Sequence, residues 1–206
     1  MRKGFALSRG AKKGLFGEIW EVIKVLLMAM VLAMVIVQFI RPTRVDGLSM
    51  YPTLDNNDYL IINRISRYTG VDRGDVVVFD SDMPINAGEY KKSNAKKLLD
   101  IVLQDDSNTK DLVKRVVAVG GDHITIKNGI VKVNDQRISE PYISHGNITE
   151  GNIDTIVPEG MLFCMGDNRM RSLDSRYPEV GFVAEKKLVG SVLVRLLPLE
   201  NIGRVK

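Results

Sequence analysis

Cysteine is almost absent from this chain. Of 206 residues only Cys164 is one, so no intramolecular disulfide can form and the redox compartment is left open. Its setting, "MLFCMG", is apolar and reads as that of a small buried hydrophobe. Histidine is nearly as scarce, with His123 and His145 alone. One cysteine and two histidines leave a zinc site to be completed by carboxylates at no recognisable spacing, so no metal and no other cofactor is expected. A histidine base for nucleophilic catalysis is also poorly served. His123 opens a strand pattern and His145 lies in a polar stretch, and neither has the setting of a triad motif. Acidic residues are missing where basic ones gather: Arg2, Lys3, Arg9, Lys12 and Lys13 precede a long apolar run with only Glu18 against them, although the whole chain carries just +4. A basic tail can bind nucleic acid, but its place beside an apolar run points to a membrane, and no nucleic-acid partner is expected. No internal repeat is present.

What is there begins with that run. Ile19 to Ile40 reads "IWEVIKVLLMAMVLAMVIVQFI", 22 residues with an unbroken apolar stretch from Val25 to Val37. As a helix it spans about 33 Å at 1.5 Å per residue, enough for the ~30 Å hydrocarbon core. Glu21 and Lys24 are spaced to pair or snorkel near its start, and Trp20 suits the interface. The following "QFIRPTRV" has no small-x-small cleavage site, so the run is expected to remain as an anchor rather than be removed as a signal peptide. The excess of basic residues ahead of it places residues 1–18 in the cytoplasm, 19–40 across the bilayer and 41–206 outside, as a single-pass membrane protein.

Beyond the span the pattern is of strands. "DYLIINRI" (58–65), "GDVVVFD" (74–80), "LVKRVVAVGGD" (112–122), "MLFCMGD" (161–167) and "LVGSVLVRLLPL" (188–199) are short runs rich in Val, Ile and Leu. "HITIKNGIVKVND" (123–135) alternates on both sides of Asn128-Gly129, a hairpin with a two-residue turn. The outer domain is therefore expected to be mostly β. Residues 81–111 are polar and lysine-rich and read as a surface excursion, with a helix "AKKLLDIVLQ" capped by Asn94. Residues 139–157 hold few core candidates and read as a long loop following the hairpin, the two together filling 123–157.

Three segments carry side chains suited to chemistry. In "VDGLSMYPTL" (45–54), Pro52 stiffens the chain and Gly47 lets another backbone or a substrate come close, so Ser49 sits on a rigid turn. Nine residues from Ile40, it lies within ~30 Å of the end of the span, and Met50, Tyr51 and Leu54 would suit a surface touching lipid. An ordinary proline-containing turn fits the segment equally well. Lys114 shares a strand face with Val116 and Ala118, while Arg115 points the other way and stays charged. An apolar face would bring the lysine from ~10.4 to about 8, at a cost of ~3 kcal/mol. A solvated lysine is the alternative. In "GDNRMRSLDSRYPEVG" (166–181), Asp174 and Arg176 can pair with each other or elsewhere, and Ser172 could orient an amine. The alternative there is a charged surface loop.

In their order behind an apolar anchor, "SMYPTL", "RGDVVVF", "KRVVAVGGD" and "GDNRMRSLDSR" closely resemble the bacterial type I signal peptidases, in their compact Gram-positive form. The resemblance implies a signal-peptidase-like β-sheet catalytic domain and a serine endopeptidase that removes signal peptides from exported preproteins with small residues at −1 and −3. It assigns Ser49 as nucleophile, Lys114 as general base, Ser172 as the hydroxyl that orients the lysine, and Asp174 and Arg176 as a supporting ionic pair. The backbone N–H of Ser49 becomes an oxyanion donor. Some members carry a serine two positions before the nucleophile as a second donor; here that position is Gly47. Met170 and Arg171 also depart from the usual family residues, with the spacing to Ser172 kept. A soluble self-cleaving Ser-Lys repressor would lack the anchor. A non-catalytic, membrane-tethered β domain that binds exported proteins is the reading of a different class.

Overall fold

In a computed structural model the described residues are 15–84 and 109–205. The chain divides into two compact units, Met1–Val37 and Gln38–Lys206. The described part of the first is almost entirely helix α1 (Leu15–Phe39). Within it Phe16–Ile36 is long and apolar enough to cross a membrane, with a mean hydropathy of 2.4 and none of its surface buried. A core helix of a soluble domain would bury its apolar side chains against neighbours; these remain exposed. Glu21 and Lys24 pair at 3.3 Å, and the Lys24 ammonium lies 5.8 Å from the centre of the Trp20 ring. The helix starts earlier than the sequence pattern indicates, and Ile40 is not part of it but opens the first strand.

The second unit is mostly β. Its strands are β1 (Ile40–Arg44), β2 (Tyr59–Asn63), β3 (Val76–Pro84), β4 (Thr109–Val119), β5 (His123–Lys127), β6 (Ile130–Val133), β7 (Gln136–Arg137), β8 (Ile153–Ile156), β9 (Met161–Met165), β10 (Val183–Ala184) and β11 (Leu188–Leu197). A seven-stranded sheet runs β1-β2-β11-β3-β4-β9-β10, and a four-stranded sheet runs β7-β6-β5-β8. Neighbours in both pair antiparallel. The Asn128-Gly129 hairpin forms as expected, with φ of 51° and 77° at the two turn residues, the twist that matches its flanking strands.

The run "VVVF" in β3 lacks alternation because both faces of its strand are covered. Val76 and Val78 pack in one cluster with Met50, Leu54, Leu60 and Ile62; Val77 and Phe79 pack in another with Val116, Leu162, Cys164 and Leu188. A strand buried on both sides needs apolar residues at every position. A third cluster joins the two sheets' inner residues, among them Ile124, Ile126, Val131, Phe163 and Met165.

Several expectations are corrected. Met50 and Leu54 are 1% and 0% exposed, so they plug the core and offer nothing to lipid; Leu48 and Tyr51 are the exposed apolar residues of that turn. The excursion at 81–111 is narrower than the composition implies, since β3 runs to Pro84 and β4 starts at Thr109, with Ser81 Oγ donating to the Lys110 carbonyl at 2.5 Å. The Asn94-capped helix falls outside the described residues. The loop at 139–157 ends in β8, which pairs with β5 from His123↔Ile156 to Ile126↔Ile153. Its side chains alternate half-buried and exposed, too weak a signal for a strand to be seen in the sequence. Ala118 does not share the setting of Lys114 and Val116. A register shift between Val116 and Ala118 breaks the alternation, and Ala118 packs with Val117 in the third cluster.

Where β11 crosses β2 there is no room for a side chain at Gly190. A Cβ there would lie 2.3 Å from the Asn63 carbonyl oxygen and 2.7 Å from Ile62 Cγ2. Gly190→Ala is expected to destabilise the domain by about 3 kcal/mol, read as a lowered urea midpoint at unchanged slope.

Candidate active site

Ser49 lies on a turn between β1 and β2, half-buried. Two things make that turn rigid. Backbone bonds close its base, from the Val45 N–H to the Asp58 carbonyl and from the Asn57 N–H to the Val45 carbonyl, both at 2.9 Å. The side chains of Met50 and Leu54 then anchor its far limb in the core. Gly47 has φ +103°, a conformation strained for any residue with a Cβ, and its N–H donates to Asn56 Oδ1 at 3.0 Å. No side-chain donor exists at that position. The Ser49 N–H makes no backbone hydrogen bond among the described residues.

Strand β4 delivers the partner. Lys114 is 2% exposed, and its Nζ donates to Ser49 Oγ at 2.7 Å and to the Val113 carbonyl at 3.0 Å. Val77 pairs with it across the sheet, and Val116, two residues on along the same strand, packs with Val77 and Cys164. Burial in this surrounding brings the lysine down to about 8, with the Asp174 carboxylate pulling weakly the other way. The solvated alternative is therefore excluded for Lys114. Burial also pushes the Cys164 thiol far up, as fits an inert core residue.

The third segment is a loop on the same side of the molecule. Gly166 is pressed so closely that an added Cβ would lie 2.2 Å from Ser172 Oγ and 2.4 Å from the Ser49 carbonyl oxygen. That contact places Ser172 beside the turn that carries Ser49. Among the described residues its buried Oγ has no hydrogen-bond partner, so the bond to the lysine amine anticipated from the sequence is not made. Asp174 and Arg176 do pair with each other: Arg176 Nε donates to Oδ1 at 2.8 Å and Nη2 to Oδ2 at 3.0 Å. Asp174 Oδ2 also accepts the Gly166 N–H at 2.9 Å, which ties the pair to the loop's start.

Polar residues whose partners the sequence does not indicate complete the arrangement. Arg115 donates to Asp167 from Nε at 2.8 Å and from Nη2 at 2.7 Å, a fork-on-carboxylate pair with both side chains buried. Tyr142 lies over that guanidinium, 4.0 Å from ring centre to Cζ, and burial pushes its phenol up to about 12. Asn168 clamps the turn that carries Ser49, its N–H on the Ser49 carbonyl and its Nδ2 on the Leu48 carbonyl, each at 3.0 Å. Arg169 is buried against Glu140, Thr149 and the Gly166 carbonyl. Asn147 donates from Nδ2 to the Asp167 carbonyl at 2.9 Å. The dense charge of "GDNR" was the available signal, but nothing local names the partners, which apart from the Gly166 carbonyl lie 20 to 120 residues away. His123, the weaker base candidate, pairs with Asp154 on β8 at 2.7 Å.

A hydroxyl in contact with a buried amine that loses its proton near pH 8 can be deprotonated as it attacks an electrophile. Residues 19–197 match the family described as signal peptidase, peptidase S26. The chain is 30% identical over 198 residues to a signal peptidase I of Bacillus amyloliquefaciens, covering 91% of this chain and 90% of that one. It is 34% identical over 196 residues to signal peptidase I P of Bacillus subtilis subsp. natto, covering 89% and 92%. A solved signal peptidase I from Enterococcus faecalis aligns with a TM-score of 0.41 at 24% identity, covering 59% of this chain and 95% of that one.

The buried amine has a measurable effect on stability. Because the folded lysine titrates near 8 and the unfolded one at 10.5, the unfolded chain binds more protons between these values, and this group's contribution to stability rises with pH through that window. Below about 8 its full cost is present. Lys114→Met is expected to be more stable than the parent at pH 7, with the difference shrinking by about 3 kcal/mol by pH 10.5 in parallel urea titrations.

Proposed function

The chain belongs to the signal peptidase family, peptidase S26, serine proteases that remove signal peptides, and from that membership we propose that Ser49 is the nucleophile and Lys114 its general base. The observation that carries this is the 2.7 Å contact between Lys114 Nζ and Ser49 Oγ, made by an amine shielded from water. In the neutral form the hydrogen bond reverses, with the Ser49 hydroxyl donating to the amine. Lys114 takes that proton as Oγ attacks the scissile carbonyl of a preprotein. The Ser49 N–H, free of backbone partners among the described residues, stabilises the oxyanion. The tetrahedral intermediate collapses to an acyl-enzyme, with the proton passing from Lys114 to the leaving amine. Water, deprotonated by Lys114, then releases the acyl group.

Ser172 orients the amine in this scheme. Its unpaired, buried Oγ supports the role, since a buried hydroxyl is stabilised by a partner and a newly formed ammonium offers one. Asp174 and Arg176 hold the loop that carries it. The helix over Phe16–Ile36 anchors the enzyme, with the basic residues ahead of it in the cytoplasm and residues 41–206 outside, where a preprotein's cleavage site emerges. Small side chains at −1 and −3 of the substrate complete the proposal.

Two experiments on the full chain in detergent test this reading. Ser49→Ala and Lys114→Ala should each lower cleavage of a preprotein with an Ala-x-Ala site by about a thousandfold or more, with circular dichroism unchanged. Near-normal turnover by Lys114→Ala would assign the base elsewhere. Since the base must be neutral, kcat/KM should rise about tenfold per pH unit below 8 and level off above it. A profile flat from pH 6 to 10 would contradict the assignment.

A further inference from the structure

Ser49 belongs to no helix or strand, yet its oxygen must stay within hydrogen-bond reach of an amine fixed on β4. The turn therefore needs its own connection to that strand. Thr53, four residues beyond Ser49 and half-buried, is held from two directions. Its Oγ1 donates to Asp167 Oδ2 at 2.5 Å, and its carbonyl accepts from Arg195 Nη1 of β11 at 3.1 Å. Asp167 is itself immobilised by the two-pronged bond from Arg115. Arg115 follows Lys114 directly, and the two side chains leave β4 on opposite faces. One reaches Ser49 Oγ; the other reaches Asp167 and, through it, Thr53.

The nucleophile turn is thus tied to β4 at two points, through the reacting pair and through the hydroxyl of Thr53. Resting on the assignment of Ser49 and Lys114 above, we infer that Thr53 is a positioning residue whose hydroxyl holds the nucleophile turn at working distance from the lysine. It acts through Asp167 and Arg115 and touches no reacting atom. Asn168 is a second strut on the same turn, through the Leu48 and Ser49 carbonyls, so loss of the Thr53 bond should impair the enzyme rather than silence it.

Thr53→Val keeps the shape and removes the hydroxyl; Thr53→Ser keeps the hydroxyl and removes the methyl. In the full chain in detergent, cleaving an Ala-x-Ala preprotein, Thr53→Val is expected to lose about 10- to 100-fold in kcat, the scale of a small misplacement of reacting groups. KM should stay within about threefold, and Thr53→Ser should return kcat to within about threefold of the parent. A merely structural role would lower the melting temperature and the active fraction without this split and without rescue by serine. If the valine variant does not fold, Thr53→Ala carries the same test. Parental kcat in the hydroxyl-free variant, a loss confined to KM, or failure of serine to rescue would each overturn the inference. Ser49→Ala run alongside separates the two ideas. Activity in Ser49→Ala sinks the nucleophile assignment and this inference with it, whereas an inactive Ser49→Ala beside a fully active Thr53→Val sinks only the role of Thr53.

Discussion

An amine loses its proton at moderate pH only if its ammonium form is made costly, and in this protein that cost is supplied by the dry surroundings of Lys114. Burial is the dominant influence on its titration; the nearby Asp174 carboxylate favours the charged form and is outweighed. Asp174 is in turn engaged by Arg176 from two nitrogens, which directs its charge away from the amine. The same economy holds across the site. Arg115 faces Asp167, Arg169 faces Glu140 and Arg176 faces Asp174, each with the arginine side chain no more than 3% exposed. Each of these buried permanent cations is matched by a carboxylate of its own, which leaves burial to set the titration of Lys114.

The two sheets divide the work. The larger one buries β3 and β4 on both faces and so provides the rigid, water-poor wall on which Lys114 stands. The smaller one packs its inner face into the third cluster and is followed by the segment between β7 and β8, which reaches back to the loop at 166–176 through Glu140, Asn147 and Thr149 and to Arg115 of β4 through Tyr142. A stretch with few apolar residues thus earns its order by polar bonds. Its role is to brace the loop that presses Gly166 against the turn carrying Ser49.

Much of this was legible in the chain itself. The apolar span, the strand character of the outer domain and the Asn128-Gly129 hairpin all rest on local patterns that tertiary packing reinforces. Ser49 on a stiff turn was visible too, while the strand pattern left Lys114 open between an apolar and a solvated setting, and their contact spans 65 residues that only the fold could bridge. What escaped has a common cause. Met50 and Leu54 read as lipid-facing because burial of a turn depends on what packs over it. Ala118 was misplaced because one irregularity between β4 and β9 undoes strict alternation. The pairing of Arg115 with Asp167, and of Asn168 with the Leu48 and Ser49 carbonyls, joins distant segments through polar groups that carry no periodic signature.

Lys114 and Arg115 are consecutive on a strand whose side chains alternate, and that places a removable charge on one face and a permanent one on the other. Sliding β4 by a single residue against β3 would exchange them. A guanidinium would then confront the serine, unable to give up its proton, while a lysine, a point charge without the planar fork, met the carboxylate meant for a two-pronged clasp. The alignment of this strand is therefore enforced twice over, by the oil-like wall behind the amine and by the geometry of the anion opposite. A one-residue insertion or deletion in the strand would strike both at once.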